Sequence, residues 1–233
     1  MGEADMKPVV KLEQVTKVYR QGAVDVHALR GLDLTVEKGE FVAICGPSGS
    51  GKTTMLNLIG ALDRTTSGEV WLEGRNLNQL NRQQLSRLRR DRIGFVFQAY
   101  NLIPVLTAFE NAESVLALQG GLAEERYERV MALLAEVGLE GMEHRRPHEL
   151  SGGQQQRVAI VRAIAAEPAV VLADEPTANV DSETAENLLG IMDGLNQDRG
   201  VTFIFSTHDN RVMERARRLV RMVDGRVSND SGS

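Results

Sequence analysis

The chain has 233 residues, 42% of them hydrophobic and 25% charged, the balance of an ordinary globular protein rather than a disordered or fibrous one. Its 27 basic and 32 acidic residues leave a net charge of −5, which argues against a nucleic-acid binder with its usual basic excess. The lone Cys45 excludes an internal disulfide framework. No apolar run approaches the ~18–20 residues of a membrane span, and residues 1–7 lack the apolar core of a secretory leader. The expectation is a cytoplasmic chain that meets a membrane only through a partner.

Residues 1–8 and 228–233 are small and polar and are expected to fray. That leaves 9–227 as a single domain, with no internal repeat and no Pro- or Gly-rich linker. Val24, Val26 and Ala28, then Leu32, Leu34 and Val36, alternate at the period of strands, and Glu37, Lys38 and Gly39 form the closing turn. Phe41–Cys45 is a short apolar strand running into a glycine-rich loop, and Cys45 reads as a small buried core residue. Met55, Leu56, Leu58, Ile59 and Leu62 then recur at helical spacing. Residues 70–73, with Gly74 following, read as a hairpin strand, 81–91 as a polar helix and 93–97 as a strand. From 101 to about 166 the pattern is almost wholly helical, with Val130, Met131, Leu133, Leu134 and Val137 on one face. Strands return at 169–173 and 201–206. The helix between them, bearing Leu188, Leu189, Ile191, Met192 and Leu195, is expected to be capped by Ser182. Strands alternating with helices imply an α/β protein with a parallel sheet, into which a helical subdomain is inserted at about 100–166.

The glycine-rich loop Gly46-Pro47-Ser48-Gly49-Ser50-Gly51-Lys52-Thr53 satisfies the pattern G-x-x-x-x-G-K-[ST] after a strand and before an amphipathic helix. Glycines let successive N–H groups turn inward around phosphate oxygens, and the helix N-terminus adds a favourable dipole. Gly46, Ser48, Gly49, Ser50, Gly51, Lys52, Thr53 and Thr54 are the expected nucleotide contacts. Lys52 would neutralise the β- and γ-phosphates, and the Thr53 hydroxyl would ligate Mg²⁺.

The strand at 169–173 ends in adjacent carboxylates, Asp174 and Glu175. A buried strand delivers such a pair at the carboxyl edge of the sheet, beside the phosphate loop. Successive strand residues point to opposite sides, so the two should have different tasks. Asp174 fits a Mg²⁺ ligand, and Glu175 fits a base that polarises the attacking water. His144 and His148 have i, i+4 spacing, but Pro147 between them breaks a helix, so no zinc site is expected.

Leu150-Ser151-Gly152-Gly153-Gln154 opens a further helical stretch, with Ser151 a natural N-cap and two glycines leaving the helix N-terminus bare for an anion. Placed between a phosphate loop and an acidic strand end, this element resembles the signature of ATP-binding cassette ATPases. The remaining motifs of that family have counterparts here, in order. Tyr19 resembles the aromatic that stacks on adenine. Gln98, after Gly94-Phe95-Val96-Phe97, resembles the glutamine that touches Mg²⁺ and water and senses the membrane partner. Asn179-Val180-Asp181 resembles the loop whose aspartate, Asp181, communicates across the dimer. His208, after Phe203-Ile204-Phe205-Ser206-Thr207, resembles the switch histidine at the γ-phosphate. The resemblance runs from about Val9 to Val227.

The resemblance implies a phosphate-loop NTPase core with a mixed, mainly parallel sheet, an N-terminal antiparallel β part and an inserted helical subdomain. It implies ATP and Mg²⁺ as cofactors. One phosphate loop and one signature per chain imply a head-to-tail homodimer on ATP binding, with Ser151 and Gly153 of one copy closing over the γ-phosphate held by the other. Asn101-Leu102-Ile103-Pro104, Leu106-Thr107-Ala108-Phe109-Glu110-Asn111 and the run from Ala173 to Asn179 are similar to the lipoprotein-release and macrolide-export branch. That branch implies an integral membrane permease as partner, with room for a periplasmic accessory protein, no nucleic acid, and a place at the cytoplasmic face of the inner membrane. An alternative is a signalling ATPase that regulates a periplasmic cell-wall enzyme through a membrane subunit. Tyr100, Leu102, Ile103 and Leu106 form an apolar cluster after Gln98 that is expected to be exposed and to dock the membrane partner.

Overall fold

The computed structural model describes residues 8–22 and 24–232. Two sheets carry the architecture. The first is antiparallel and contains β1 (Val10–Gln21), β2 (Val24–Val36), β4 (Ser67–Leu72) and the short β5 (Arg75–Asn76) in the order β2-β1-β4-β5. The second holds β3 (Phe41–Cys45), β6 (Ile93–Phe97), β7 (Val170–Asp174), β8 (Phe203–Thr207), β9 (Arg218–Val223) and β10 (Arg226–Asp230) in the order β10-β9-β3-β8-β7-β6. All its pairings are parallel except that of β10 with β9. This is the expected mixed, mainly parallel sheet with an antiparallel β part.

The central strands read as continuous apolar runs because both faces are covered. Alternate residues of β3 divide between two cores. Phe41 and Ala43 face one that includes α3 (Ala108–Gln119), α4 (Ala123–Glu136), α5 (Gly152–Ile164) and α6 (Ser182–Arg199). Val42 and Ile44 face the other, formed with the antiparallel sheet, α1 (Lys52–Ile59) and α2 (Arg82–Arg92). No helix among the described residues is long and apolar enough to cross a membrane.

Several local expectations change. The block from 101 to 166 is less helical than its pattern: 101–107 and much of 137–151 are loop, with one short 3₁₀ turn at Pro147–Glu149. Helix α6 is capped by Asp181, not Ser182. The Asp181 carboxylate accepts the Thr184 N–H at 2.9 Å and the Thr184 hydroxyl at 2.7 Å, and these donations hold its carboxyl below the usual carboxylate range. Strand β1 escapes period-two reading because Gln14, at φ +47, breaks the register between Leu12 and Val15.

Residues 228–230 do not fray but complete β10. Arg218 fixes them. Its guanidinium, 14% exposed, donates to Asp230 Oδ2 at 2.6 Å, to Glu40 Oε2 at 2.9 Å and to the Thr35 carbonyl at 2.8 Å. The pairing holds the Asp230 carboxyl below its ordinary range. Such a group contributes stability above its unfolded pKa and loses it as pH falls through the lower folded value. Arg218→Met should therefore lower the free energy of unfolding at pH 7 by about 1.5–3 kcal/mol. In urea titrations the gap to wild type should narrow below pH ~4 as Asp230 protonates.

Candidate functional site

The site is assembled by strand register. Along the central sheet Cys45 pairs with Thr207, Ser206 with Asp174, and Asp174 with Phe97. The segments leaving these ends, 46–51, 208–209, 175–181 and 98–101, therefore emerge side by side at the carboxyl edge, where α/β proteins bind ligands. A cavity of about 640 Å³ lies there, lined by the loop from Gly46 to Thr54 and by Gln98, Glu175, Ser206 and His208. Gly46, Ser48, Gly49, Ser50, Gly51, Lys52, Thr53 and Thr54 all contribute. Val26, His27 and Ala28 of β2 line the same cavity, a contribution carried by the packing of the antiparallel sheet and by no motif.

The phosphate loop is shaped by close backbone approach. A Cβ on Gly46, at φ +151, would sit 2.1 Å from the Met222 carbonyl of β9, so only glycine fits. Gly51 ends the loop in a left-handed conformation and caps α1, whose N-terminus opens on the cavity. The buried Lys52 ammonium donates to the carbonyls of Gly46 at 2.7 Å and Pro47 at 3.1 Å. Neutral carbonyls, rather than a carboxylate, hold this charge across the loop. Among the described residues, the buried hydroxyls of Ser50 and Ser206 have no hydrogen-bond partner.

The acidic pair is separated by a turn, not by strand pleat. Asp174 is the last residue of β7, and Glu175 leaves the strand at φ +46, a conformation that costs a non-glycine residue about 1–3 kcal/mol. The Glu175 N–H donates to the Ser206 carbonyl at 2.9 Å. Glu175 Oε1 lies 2.7 Å from His208 Nδ1, and the Thr207 hydroxyl donates to Oε2 at 3.4 Å. Glu175 is 18% and His208 76% exposed, so an exposed imidazole stands against a largely enclosed carboxylate. On the other side Thr53 Oγ1 stands 3.3 Å from Asp174 Oδ2, long for a direct O–H···O bond. The Thr53 hydroxyl and the Gln98 amide line the cavity, and the Asp174 carboxylate faces that hydroxyl, so their oxygens make a donor set suited to a hard divalent cation.

Gln98 is joined to the segment after Glu175 by a reciprocal amide pair. Asn179 Nδ2 donates to the Gln98 carbonyl at 2.9 Å, and Gln98 Nε2 donates to Asn179 Oδ1 at 3.4 Å. The Tyr100 hydroxyl adds a donation to the Asn179 carbonyl at 3.1 Å. The fully buried Gln156 of α5 donates to the Pro176 carbonyl at 2.6 Å. Neither Gln156 nor Asn179 was marked as a structural tie by its spacing.

Five expected residues stand outside the cavity lining: Asp174, which faces Thr53 from the end of β7, and Tyr19, Ser151, Gly153 and Asp181. Tyr19 donates its hydroxyl to Asp63 Oδ2 at 2.8 Å, and the Lys17 ammonium stands 4.7 Å from its ring centroid. Burial, and then Asp63, push the Tyr19 pKa up. Ser151 caps α5, accepting the Gln154 N–H at 3.3 Å while Gln154 Oε1 accepts the Ser151 N–H at 2.9 Å. Asp181 caps α6 as described. The bare helix end expected at the signature is only half present, because Gly153 is buried: a Cβ there would lie 2.3 Å from the Thr184 methyl.

A strand, glycine loop and helix opposite a carboxylate pair at a sheet edge make a nucleoside-triphosphate site. A family model described as ABC transporter matches residues 29–178, a span that takes in the phosphate loop, the signature and the acidic pair. The lipoprotein-releasing system ATP-binding protein LolD of Anaeromyxobacter dehalogenans is 47% identical over 231 residues, 99% of this chain and 97% of that protein. The macrolide export ATP-binding/permease protein MacB of Hyphomonas neptunium is 46% identical over 97% of this chain, which spans only 35% of that relative's length. An ABC transporter ATP-binding protein of Methanocaldococcus jannaschii, MJ0796, is 46% identical over 226 residues, 95% of this chain and 96% of that protein. Its solved structure, a dimeric post-hydrolysis state bound to ADP and Pi, superposes with a TM-score of 0.88 over 95% of this chain and 97% of that one. The chain belongs to the ABC transporter family, as its ATP-binding, ATP-hydrolysing component.

Gly153→Ala should test the packing of the signature on α6. Overpacking against Thr184 should cost about 1–3 kcal/mol in thermal unfolding. Adding Thr184→Ser, which removes the offending methyl, should recover more than half of the loss.

Proposed function

We propose that this chain is the nucleotide-binding subunit of a membrane extruder, resembling the lipoprotein-releasing and macrolide-export systems. It binds ATP with Mg²⁺ at its phosphate-loop cavity and closes as a head-to-tail homodimer. One observation carries the reading: the loop, Gln98, Glu175 and His208 share one cavity, while the signature of the same chain lies outside it. The site is then incomplete in one copy, and a second copy has to supply the cover.

In this reading Lys52 leaves its loop carbonyls for the β- and γ-phosphates. Thr53, Asp174 and Gln98 would hold Mg²⁺, which would supply positive charge against that developing on the phosphoryl oxygens. Glu175 takes the attacking water, with one carboxylate oxygen oriented by His208 and the other by Thr207. Tyr19 offers its ring to adenine, its hydroxyl anchored on Asp63. The Ser151 oxygen accepts from Gln154 N–H, so its own proton is free to be donated. Together with the first N–H groups of α5 it suits the γ-phosphate bound by the partner copy.

Glu175→Gln keeps shape and removes the basic oxygen. Turnover should fall by about 10²–10⁴-fold with ATP affinity within about threefold, and size-exclusion chromatography with ATP should show a lasting dimer. Near-normal turnover would remove Glu175 from this role.

The permease is proposed to dock at the cytoplasmic face on the segment after Gln98. Leu102, expected to be exposed for that contact, is instead half-buried and packed on the core. Ile103 at 45% and Val105 at 73% exposure are the free apolar surface. Ile103→Glu and Val105→Glu should leave folding and basal ATP turnover within about twofold of wild type while abolishing co-purification with the membrane subunit, since exposed sites tolerate charge. Retained co-purification in the double variant would place the contact elsewhere.

A further inference from the structure

After β6 the chain makes a tight turn in which two consecutive non-glycine residues are left-handed, Tyr100 at φ +59 and Asn101 at φ +51. Asparagine tolerates this region, but an aromatic residue there is a true outlier, and such turns persist only where surrounding groups over-determine them. Arg162, near the far end of α5, supplies the constraint. Its Nη2 donates to the Tyr100 carbonyl at 2.8 Å and its Nη1 to the Asn101 carbonyl at 2.5 Å. Among the described residues no carboxylate pairs with this half-buried guanidinium, and burial lowers its pKa. A charged group is thus desolvated in order to bind two main-chain carbonyls. Beyond the turn, the fully buried Asn111 takes over: Nδ2 donates to the carbonyls of Ile103, Leu106 and Thr107, and Oδ1 accepts the Ile103 N–H at 2.7 Å.

We propose that Arg162 is a positioning residue for hydrolysis, clamping the left-handed turn at Tyr100 and Asn101 and thereby holding Gln98 in the cavity. The proposal rests on the reading of Gln98 given above. Arg162 lies 11 residues from Ser151 on one helix, about 16 Å at 1.5 Å per residue. The helix whose N-terminus carries the signature thus grips the Gln98 segment three turns further on. Displacement of α5 would be felt at Gln98 through these two hydrogen bonds, beside the 3.4 Å donation of Gln156 Nε2 to the Phe97 carbonyl.

Lysine is a point charge and cannot bridge two carbonyls as a planar fork does. Arg162→Lys should lower turnover about tenfold with KM for ATP within about twofold, the split expected of a group acting after binding. Asn101→Val, which leaves Arg162 intact but disfavours the left-handed turn, should give the same split. Because both act through one turn, the double variant should fall no more than about threefold below the worse single. Turnover within twofold of wild type in Arg162→Lys, or losses that multiply to about a hundredfold, would overturn the clamp. Gln98→Ala separates the two claims: normal turnover there defeats the reading of Gln98, whereas slow turnover there beside a normal Arg162→Lys defeats the clamp alone. If the variants do not fold, hydrogen exchange on the wild-type chain decides. Amides of Tyr100 and Asn101 should be protected comparably to those of β6, and exchange at open-loop rates would refute the proposal.

Discussion

Four parallel strands, β3, β8, β7 and β6, end level with one another, and the arrangement of the nucleotide site depends on that shared register. Cys45, Thr207, Ser206, Asp174 and Phe97 are linked in one row across the sheet. A slip of one residue in any pair would move a strand's side chains to the other core. Each strand is apolar on both faces, so the two cores reject such a slip equally. The site thus inherits its precision from the burial of Phe41, Val42, Ala43 and Ile44 and their neighbours, which never touch it.

The loops that leave this row are joined to each other by side-chain amides and hydroxyls and by the Glu175–His208 contact. Asn179 pairs with Gln98, Gln156 reaches Pro176, and the Thr177 hydroxyl donates to Asp209 Oδ2 at 2.8 Å. Asp209 in turn caps the helix at Asn210–Arg215 and pairs with Arg211. Amide and hydroxyl contacts are worth little each, about 0.5–1.5 kcal/mol, and can exchange for one another without stranding a charge.

The signature helix α5 is the element to which the rest is referred. Its N-terminus is closed by the Ser151–Gln154 capping box, its buried Gln156 touches the acidic loop, and Arg162 holds the turn after Gln98. Its first turn packs so closely that a Cβ on Gly152 or Gly153 would have to displace the Tyr100 hydroxyl or the Thr184 methyl. The glycines that leave backbone donors available to an anion also let α5 and α6 approach.

Much of this was legible in the residues themselves. The phosphate loop, the carboxylates after an apolar strand and the capped signature are local patterns whose spacing dictates a strand, turn or helix wherever they fall. Their order along the chain carried the family and the composition of the cavity. Strand β1 was not legible, because a bulge at Gln14 breaks its period, nor was β10, whose polar residues are held by the distant Arg218. The left-handed turn that parts Glu175 from Asp174, the burial of Leu102, and the grip of Arg162 on Tyr100 and Asn101 were equally hidden. Sequence by itself determined which chemical groups gather at the carboxyl edge of the sheet, since those groups sit within a few residues of a strand end. Only the tertiary structure decided how they are aimed, because aim depends on contacts between residues tens of positions apart, whose energies leave no trace in local pattern.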